Sequence, residues 1–185
     1  MILKKLTLLG LSVSMIGAVS AAQAESWTVD AANSTLAFEV QQGSAPLKGT
    51  FTTWDASIDF DLAAPENAAI QATINPASAS TGNPQFDTTL PAADWFDAAG
   101  FPVAEFKAES ASLVEGNSYR AEGTLTIKGA SHPVTLDFTL DIDGDTATAT
   151  GTAKLNRLDY QLGSGVGTDT VGDIVTVTLD LTATR

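Results

Sequence analysis

Cysteine is absent from the sequence, and histidine occurs only once. Without cysteine the chain has no disulfide, no thiolate metal ligand and no cysteine nucleophile. A single histidine cannot supply the converging ligands of a typical zinc site, and no Gly-x-Ser-x-Gly nucleophile elbow is present. His132 follows the turn residues Lys128-Gly129, where we expect an exposed polar side chain. These absences favour a protein that is not an enzyme and that carries neither a metal nor a covalent cofactor.

Basic residues are also scarce, with nine against 22 acidic ones. Two of the nine, Lys4 and Lys5, precede the main part of the chain, so residues 25–185 carry seven basic and all 22 acidic residues, a formal charge of −15. Nucleic-acid binding depends on neutralising phosphates with lysine and arginine, so nucleic acid is excluded as a partner. The same charge repels anionic membrane surfaces.

A long apolar run occurs only near the start of the chain. Lys4 and Lys5 precede the apolar residues 6–19, and the small residues Ala22 and Ala24 then frame a cleavage site. This order is typical of a cleaved signal peptide, and the run is too short for a permanent membrane anchor. The sequence therefore predicts a signal peptide over 1–24, cleavage after Ala24, a periplasmic location and a single domain over 25–185.

The rest of the sequence alternates between apolar and polar residues, which is the period of β-strands with one buried face. Glycines follow acidic or basic residues at Gly116, Gly129 and Gly144, as in tight hairpin turns. The pattern predicts about eight antiparallel strands, the number at which a closed barrel holds its own side chains or one small ligand. A proline followed by good helix formers predicts a short helical insertion around 91–97.

Two patterns leave alternatives open. The row Ala147, Ala149, Gly151 and Ala153 indicates either room inside the barrel or close packing of another element. The segment Asp141–Asp145 resembles the start of a calcium loop but lacks the carboxylate at its twelfth position, so a hairpin turn is favoured.

Short motifs in a fixed order run through the whole of 25–185. They include Trp27-x-Val29-Asp30, Gly49-x-Phe51-x-x-Trp54, Trp95-Phe96-Asp97, Gly123-x-Leu125-x-Ile127-x-Gly129 and Arg157-x-Asp159-Tyr160. In their order and spacing they resemble the YceI-like proteins. The resemblance implies a lipocalin-like barrel that binds a polyisoprenoid or another long-chain lipid in its interior, and it does not imply catalysis.

The candidate ligand site follows from this resemblance and from the apolar faces of the strands. We expect the tail of an isoprenoid or lipid ligand to contact apolar side chains of the strands and of the insertion. These residues are Leu36, Phe38, Phe60, Trp95, Phe96, Phe106, Leu125 and Phe138. Because basic side chains are few, an isoprenoid quinone or a fatty-acid derivative is favoured over a polyprenyl phosphate.

Two other functions stay open at this point. A filled barrel without a ligand would act as an interaction module of the cell envelope. A lipid-modifying enzyme would need reactive groups, and Asp159 and Tyr160 near Arg157 form the cluster to test; an ion pair beside a half-buried tyrosine is the simpler interpretation. The sequence also leaves open whether the protein is a monomer or a homodimer.

Overall fold

The computed structural model describes residues 25–185, so the predicted signal peptide over 1–24 lies outside the described residues. The strands are β1 Ser26–Val29, β2 Thr35–Gln42, β3 Ala45–Phe51, β4 Trp54–Asp59, β5 Ala69–Ile74, β6 Ala79–Ser80, β7 Ala104–Ala108, β8 Ala111–Glu115, β9 Ser118–Ile127, β10 Ala130–Asp143, β11 Thr146–Asn156 and β12 Val171–Thr184. The helices are α1 Pro84–Thr89 and the 3₁₀ turns Ala31–Asn33, Pro65–Asn67, Pro76–Ser78 and Arg157–Tyr160.

The strands close into an antiparallel barrel. The ring runs β1-β4-β5-β7-β9-β10-β11-β12, and β12 pairs back onto β1. The remaining strands extend the walls. β2 pairs with β12 and continues the wall of β1. Beside it, β3 continues the wall of β4, and β6, which pairs with β3, continues that of β5. β8 likewise follows β7 along β9. The predicted eight-stranded barrel is therefore confirmed, with four of its eight walls broken into two segments.

Hairpin turns set the register of the long strands. β9 and β10 are joined by Lys128 and Gly129, whose φ values of 51° and 79° are both positive. Two positive φ values fit the twist of the flanking strands, and glycine adopts them without steric cost. In the resulting register Val134 lies opposite Gly123, which places both residues in rows that face the interior.

One short helix is present, but it lies at Pro84–Thr89, before the predicted range of 91–97. Asn83 caps this helix, since its side chain accepts a hydrogen bond from the Gln85 amide, and Pro84 occupies the first turn. Residues 91–97 instead form successive turns that end at Asp97, whose φ is 46°. We call residues 81–103, which contain α1 and these turns, the cap segment.

Aromatic rings pack one end of the barrel. Phe60 lies edge-on to both Tyr119 and Phe138, at centroid distances of 5.3 and 6.0 Å. Trp27 donates a hydrogen bond to the Phe60 carbonyl, and the guanidinium of Arg185 lies 4.9 Å from the Trp27 ring. The cap segment and the connection between β11 and β12 lie at the other end. Among residues 25–185, no helix is long and apolar enough to cross a membrane.

Candidate functional site

An apolar cavity occupies the interior of the barrel. Its volume is about 200 Å³, and its walls are apolar side chains with the single exception of Arg157. A second cavity of about 60 Å³ lies toward the Trp27 end and is also walled by apolar side chains. The two share the walls Ile58, Ile70, Leu136, Leu179 and Leu181, so they form consecutive parts of one interior.

The exposure of inward-facing residues shows that this interior is not filled. Leu36, Leu125, Leu136 and Val177 line the cavity, yet each is only half-buried. Their cavity-facing surfaces lack the neighbours that a close-packed core would provide. This differs from the filled interior that the ligand-free alternative requires. Dry apolar cavities of roughly 150 Å³ already bind guests of the size of benzene.

The predicted ligand residues divide between the two cavities. Those in the wall of the larger cavity are Leu36, Phe38, Trp95, Phe96, Phe106 and Leu125. Phe60 and Phe138 line the smaller cavity instead. The structure thus brings the first six together around one space and places the other two further along the barrel.

The alanine and glycine row of β11 also faces the interior. Ala153 lines the larger cavity, and Ala147 and Ala149 line the smaller one. A Cβ on Gly151 would lie 3.1 Å from Leu136 Cδ1, which is a tight contact with the neighbouring strand. The sequence left open whether this row makes room inside the barrel or packs closely against another element. Over most of its length the row makes room, and at Gly151 it packs closely against β10.

Several wall residues are not among those predicted from the sequence. Val40 and Val175 continue the inward rows of β2 and β12, so the alternation of those strands could have identified them. Leu90 and Leu162 come from irregular connections, where no periodicity indicates which side chains face inward. Phe51 lies in β3, a strand whose apolar pattern is interrupted by Gly49.

Arg157 is the one charged residue of the wall, and it is buried at 1% exposure. Its guanidinium donates hydrogen bonds of 2.7 to 3.1 Å to the backbone carbonyls of Leu162, Gly163, Val166, Val171 and Gly172. A guanidinium has five N–H groups, so these five bonds use its whole donor capacity. Arg157 therefore fastens the connection between β11 and β12 to the barrel and has no donor left for a ligand.

The sequence of this barrel matches a known family model. The model of the YceI-like domain matches residues 27–183, which is nearly all of the described chain. The chain belongs to the YceI-like family. The resemblance inferred from the sequence motifs is thereby confirmed.

Curated relatives of this YceI-like chain include Protein YceI of Escherichia coli O157:H7, which is 32% identical over 145 residues. That match covers 76% of this chain and 75% of the relative. A UPF0312 protein of Pseudomonas syringae pv. tomato is 27% identical over 169 residues, covering 86% of this chain and 88% of the relative.

Solved structures show the same fold. The crystal structure of BcnA from Burkholderia cenocepacia matches with a TM-score of 0.80 and 32% identity, over 84% of this chain and 99% of that one. A polyisoprenoid-binding domain from Saccharophagus degradans, implicated in plant cell wall breakdown, matches with a TM-score of 0.69 over 86% of this chain and 98% of that one. Its identity is 17%, so this second likeness shows the fold alone.

The cluster expected for a lipid-modifying enzyme has a different arrangement in this YceI-like barrel. No ion pair joins Arg157 to Asp159 within the described chain, since the guanidinium is used by carbonyls and Asp159 is exposed. Tyr160 is fully buried rather than half-buried, and its hydroxyl has no hydrogen-bond partner among residues 25–185. Burial, with a smaller contribution from Asp159, raises the pKa of Tyr160 to about 12. A phenol held neutral in this way is a poor acid or base at neutral pH.

His132 packs against this tyrosine, which corrects the expectation of an exposed turn residue. The imidazole is half-buried, because its position on β10 belongs to the same inward row as Val134. Its ring lies edge-on to the Tyr160 ring at a centroid distance of 5.1 Å, and Nε2 lies 3.1 Å from the Asp159 carbonyl. His132 is thus a packing residue at the cap end of the barrel.

The segment Asp141–Asp145 forms the hairpin between β10 and β11. Asp141 accepts a hydrogen bond from Asn117, and Asp145 pairs with Arg185. The carboxylates of Asp141 and Asp145 are therefore directed to different partners. Over residues 25–185 no group of three or more histidine or acidic side chains could hold a metal ion.

The cap segment is fastened to the barrel next to the cavity. The Lys128 ammonium donates to the Ala93 carbonyl at 2.6 Å, and the Gly163 amide donates to the Asp94 carbonyl at 2.7 Å. These two bonds are made at the two residues that precede Trp95, whose side chain lines the cavity. The cap segment and the connection fastened by Arg157 therefore meet at the same end of the site.

Proposed function

We propose that this YceI-like protein binds a long-chain isoprenoid or another lipid inside the barrel and acts as a carrier or store for it. The observation that carries the proposal is the apolar cavity, whose one charged wall residue, Arg157, has all its donors bound to backbone carbonyls. Each methylene removed from water contributes about 0.8 kcal/mol, so an enclosed hydrocarbon chain is strongly stabilised. The Saccharophagus degradans neighbour, described as polyisoprenoid-binding, supports the same ligand class.

Filling the cavity tests this proposal. Ala153 lies on β11 opposite Leu136 and Val177, and all three line the cavity. We expect Ala153→Phe to place a ring in the empty space and to reduce binding of farnesol, a neutral isoprenoid alcohol, by roughly tenfold or more. Thr152→Phe is the matched control, because Thr152 is its exposed neighbour on the same strand. Equal farnesol affinity of the two folded variants would place the ligand elsewhere.

The head group is proposed to be neutral, as in an isoprenoid quinone or a fatty-acid derivative. Four of the seven basic side chains of residues 25–185 pair with carboxylates on the surface, namely Lys48, Lys107, Arg120 and Arg185. Arg157 and Lys128 are directed to backbone carbonyls. A phosphate therefore finds few partners near the cavity. The expected result of a competition assay is that ubiquinone displaces bound farnesol more effectively than undecaprenyl phosphate does; the opposite order would reject a neutral head group.

We propose that the protein works in the periplasm after cleavage behind Ala24. The order of basic, apolar and small residues at the start of the sequence supports this location. Fractionation of cells that express the full chain should release a product whose first residue is Glu25. A product that retains the leader and sediments with membranes would contradict it.

The sequence left open whether the protein is a monomer or a homodimer. Sedimentation velocity of the mature chain, with and without farnesol, distinguishes a dimer from a monomer.

A further inference from the structure

Two glycines occupy inward positions of the barrel wall beside aromatic rings. Gly49 lies in β3 directly opposite Phe38 of β2. Gly123 lies in β9, on the same inward row as Leu125, which is opposite Phe106 of β7. Both phenylalanines line the larger cavity. Each glycine is thus a place where a side chain would project toward the cavity and where an aromatic ring lies instead.

The distances show that the rings need these glycines. A Cβ on Gly49 would lie 2.7 Å from Phe38 Cε1, and a Cβ on Gly123 would lie 2.6 Å from both Cε2 and Cζ of Phe106. Carbon atoms in contact are normally about 3.5 to 4.0 Å apart, so any side chain at these positions would push the ring inward by about 1 Å. The rings therefore lie against the wall only because the neighbouring residue is glycine.

The same arrangement occurs at the cap end. A Cβ on Gly163 would lie 2.7 Å from Cη2 and Cζ2 of Trp95, another cavity residue. Three aromatic side chains of one cavity are therefore held against backbone at glycine. Other glycines, such as Gly165, have no atom within 4 Å of an added Cβ.

We infer that Gly49 and Gly123 are specificity-determining residues, which keep Phe38 and Phe106 against the wall so that the cavity admits methyl-branched isoprenoid chains. A methyl branch projects from its chain by one carbon–carbon bond, about 1.5 Å. An inward shift of about 1 Å by either ring is comparable to that projection and hinders a branched chain more than a straight one. This inference rests on the proposed function, because it concerns which tails the cavity accepts.

Two neutral probes measure the effect. Farnesol and dodecanol have main chains of equal length and the same hydroxyl head group, but only farnesol carries methyl branches. We expect Gly123→Ala to lower farnesol affinity about tenfold, the effect of roughly one misplaced carbon group in an apolar pocket. Dodecanol affinity should fall by less than about threefold, which corresponds to well under 1.4 kcal/mol. Adding Phe106→Leu to Gly123→Ala should restore the ratio of the two affinities, because the shorter side chain vacates the space.

Gly165→Ala is the matched control and should leave both affinities unchanged, since an added Cβ contacts nothing there. The Lys107 carbonyl lies 2.5 Å from an added Cβ at Gly123, so Gly123→Ala also strains the backbone. If that variant does not fold, Phe106→Leu alone is compared with wild type. We then expect the ratio of farnesol affinity to dodecanol affinity to be higher in Phe106→Leu than in wild type.

An unchanged ratio in folded Gly123→Ala, or in Phe106→Leu where Gly123→Ala does not fold, would overturn the inference while leaving the proposed function intact. Failure of the double variant to restore the ratio would overturn it equally. A wild-type protein that binds neither alcohol would reject the proposed function and the inference with it.

Discussion

At the residue scale, the unusual feature of the barrel is a buried arginine without an acidic partner. Arg157 is compensated by five carbonyl dipoles, three in the connection between β11 and β12 and two at the start of β12. Hydrogen bonds to charged groups contribute about 1.5 to 3 kcal/mol each, so this residue is a major source of local order. Its role is to shape the wall at the cap end of the cavity.

Substitution of Arg157 tests that role. We expect Arg157→Lys to lower the free energy of unfolding by about 3 kcal/mol or more, because an ammonium has only three donors and cannot reproduce the planar fork. Urea denaturation measures the change. Lys154→Arg, at an exposed position on β11, is a control for a change between the two basic side chains. Unchanged stability of Arg157→Lys would show that the carbonyls do not need the guanidinium.

Tyr160 gives a second prediction at this scale. Because its buried hydroxyl has no partner, Tyr160→Phe should leave stability unchanged or raise it by up to about 1 kcal/mol. The pKa of about 12 in the folded protein lies above the ordinary value of 10.0. Wild-type stability is therefore maintained below pH 10 and lost as the pH rises from 10 toward 12, relative to Tyr160→Phe. Chemical denaturation gives the free energy of unfolding of both proteins at each pH. If the two plots against pH ran parallel between pH 10 and 12, the phenol would not be buried.

At the scale of elements, the cap segment depends on a single carboxylate near its start. Asp87 in α1 accepts hydrogen bonds from the Thr81 amide at 2.6 Å, the Thr81 hydroxyl at 2.7 Å and the Ser80 hydroxyl at 3.0 Å. The Thr81 amide is the largest cause of the lowered pKa of Asp87, and the two hydroxyls lower it further. The charged form thus ties α1 to the end of β6.

We expect this tie to weaken in acid. A lowered pKa in the folded state means that the stabilisation is complete above the pKa of the unfolded chain and is lost as the pH falls through the folded value. Asp87→Asn should therefore melt below wild type at neutral pH, and the two melting curves should converge on acidification. Asp55→Asn on β4 is the comparison for loss of one negative charge. A difference in melting temperature that persists at low pH would assign the effect to something other than ionisation.

Much of the architecture could be predicted because the long strands alternate strictly. β10, β11 and β12 expose one face to solvent and direct the other into the barrel, so their apolar rows are visible in the sequence. The inward row of β3 is harder to recognise, since Gly49 interrupts it between Leu47 and Phe51. The interruption at Gly49 is the position that accommodates the Phe38 ring, so the broken pattern carries structural information.

The helix was predicted at 91–97, a few residues after its position at Pro84–Thr89. Pro91 and the good helix formers after it suggested a helix over 91–97, whereas the stronger signal is the cap formed by Asn83 and Pro84. The sequence could not predict which of the ligand residues line the larger cavity and which line the smaller one. That depends on how far along the barrel axis each side chain lies. Periodicity identifies the inward face but not the height of a side chain along the axis.

At the scale of the whole molecule, the protein combines an acidic exterior with an apolar interior. The formal net charge of the full chain is −13, which favours solubility and opposes contact with anionic surfaces. The cavity offers the opposite environment, with Arg157 saturated and the remaining wall residues apolar. A hydrocarbon chain enclosed in such a barrel is shielded from water, and the closed ring of strands leaves few free edges for aggregation.

Native mass spectrometry of the protein, purified without detergent from its own cells, tests the central claim most directly. We expect a reproducible hydrophobic adduct that organic extraction identifies as a neutral isoprenoid or other lipid, and that is lost from Ala153→Phe but kept in Thr152→Phe. Wild-type protein that carries no adduct and that also fails to take up farnesol would contradict the account.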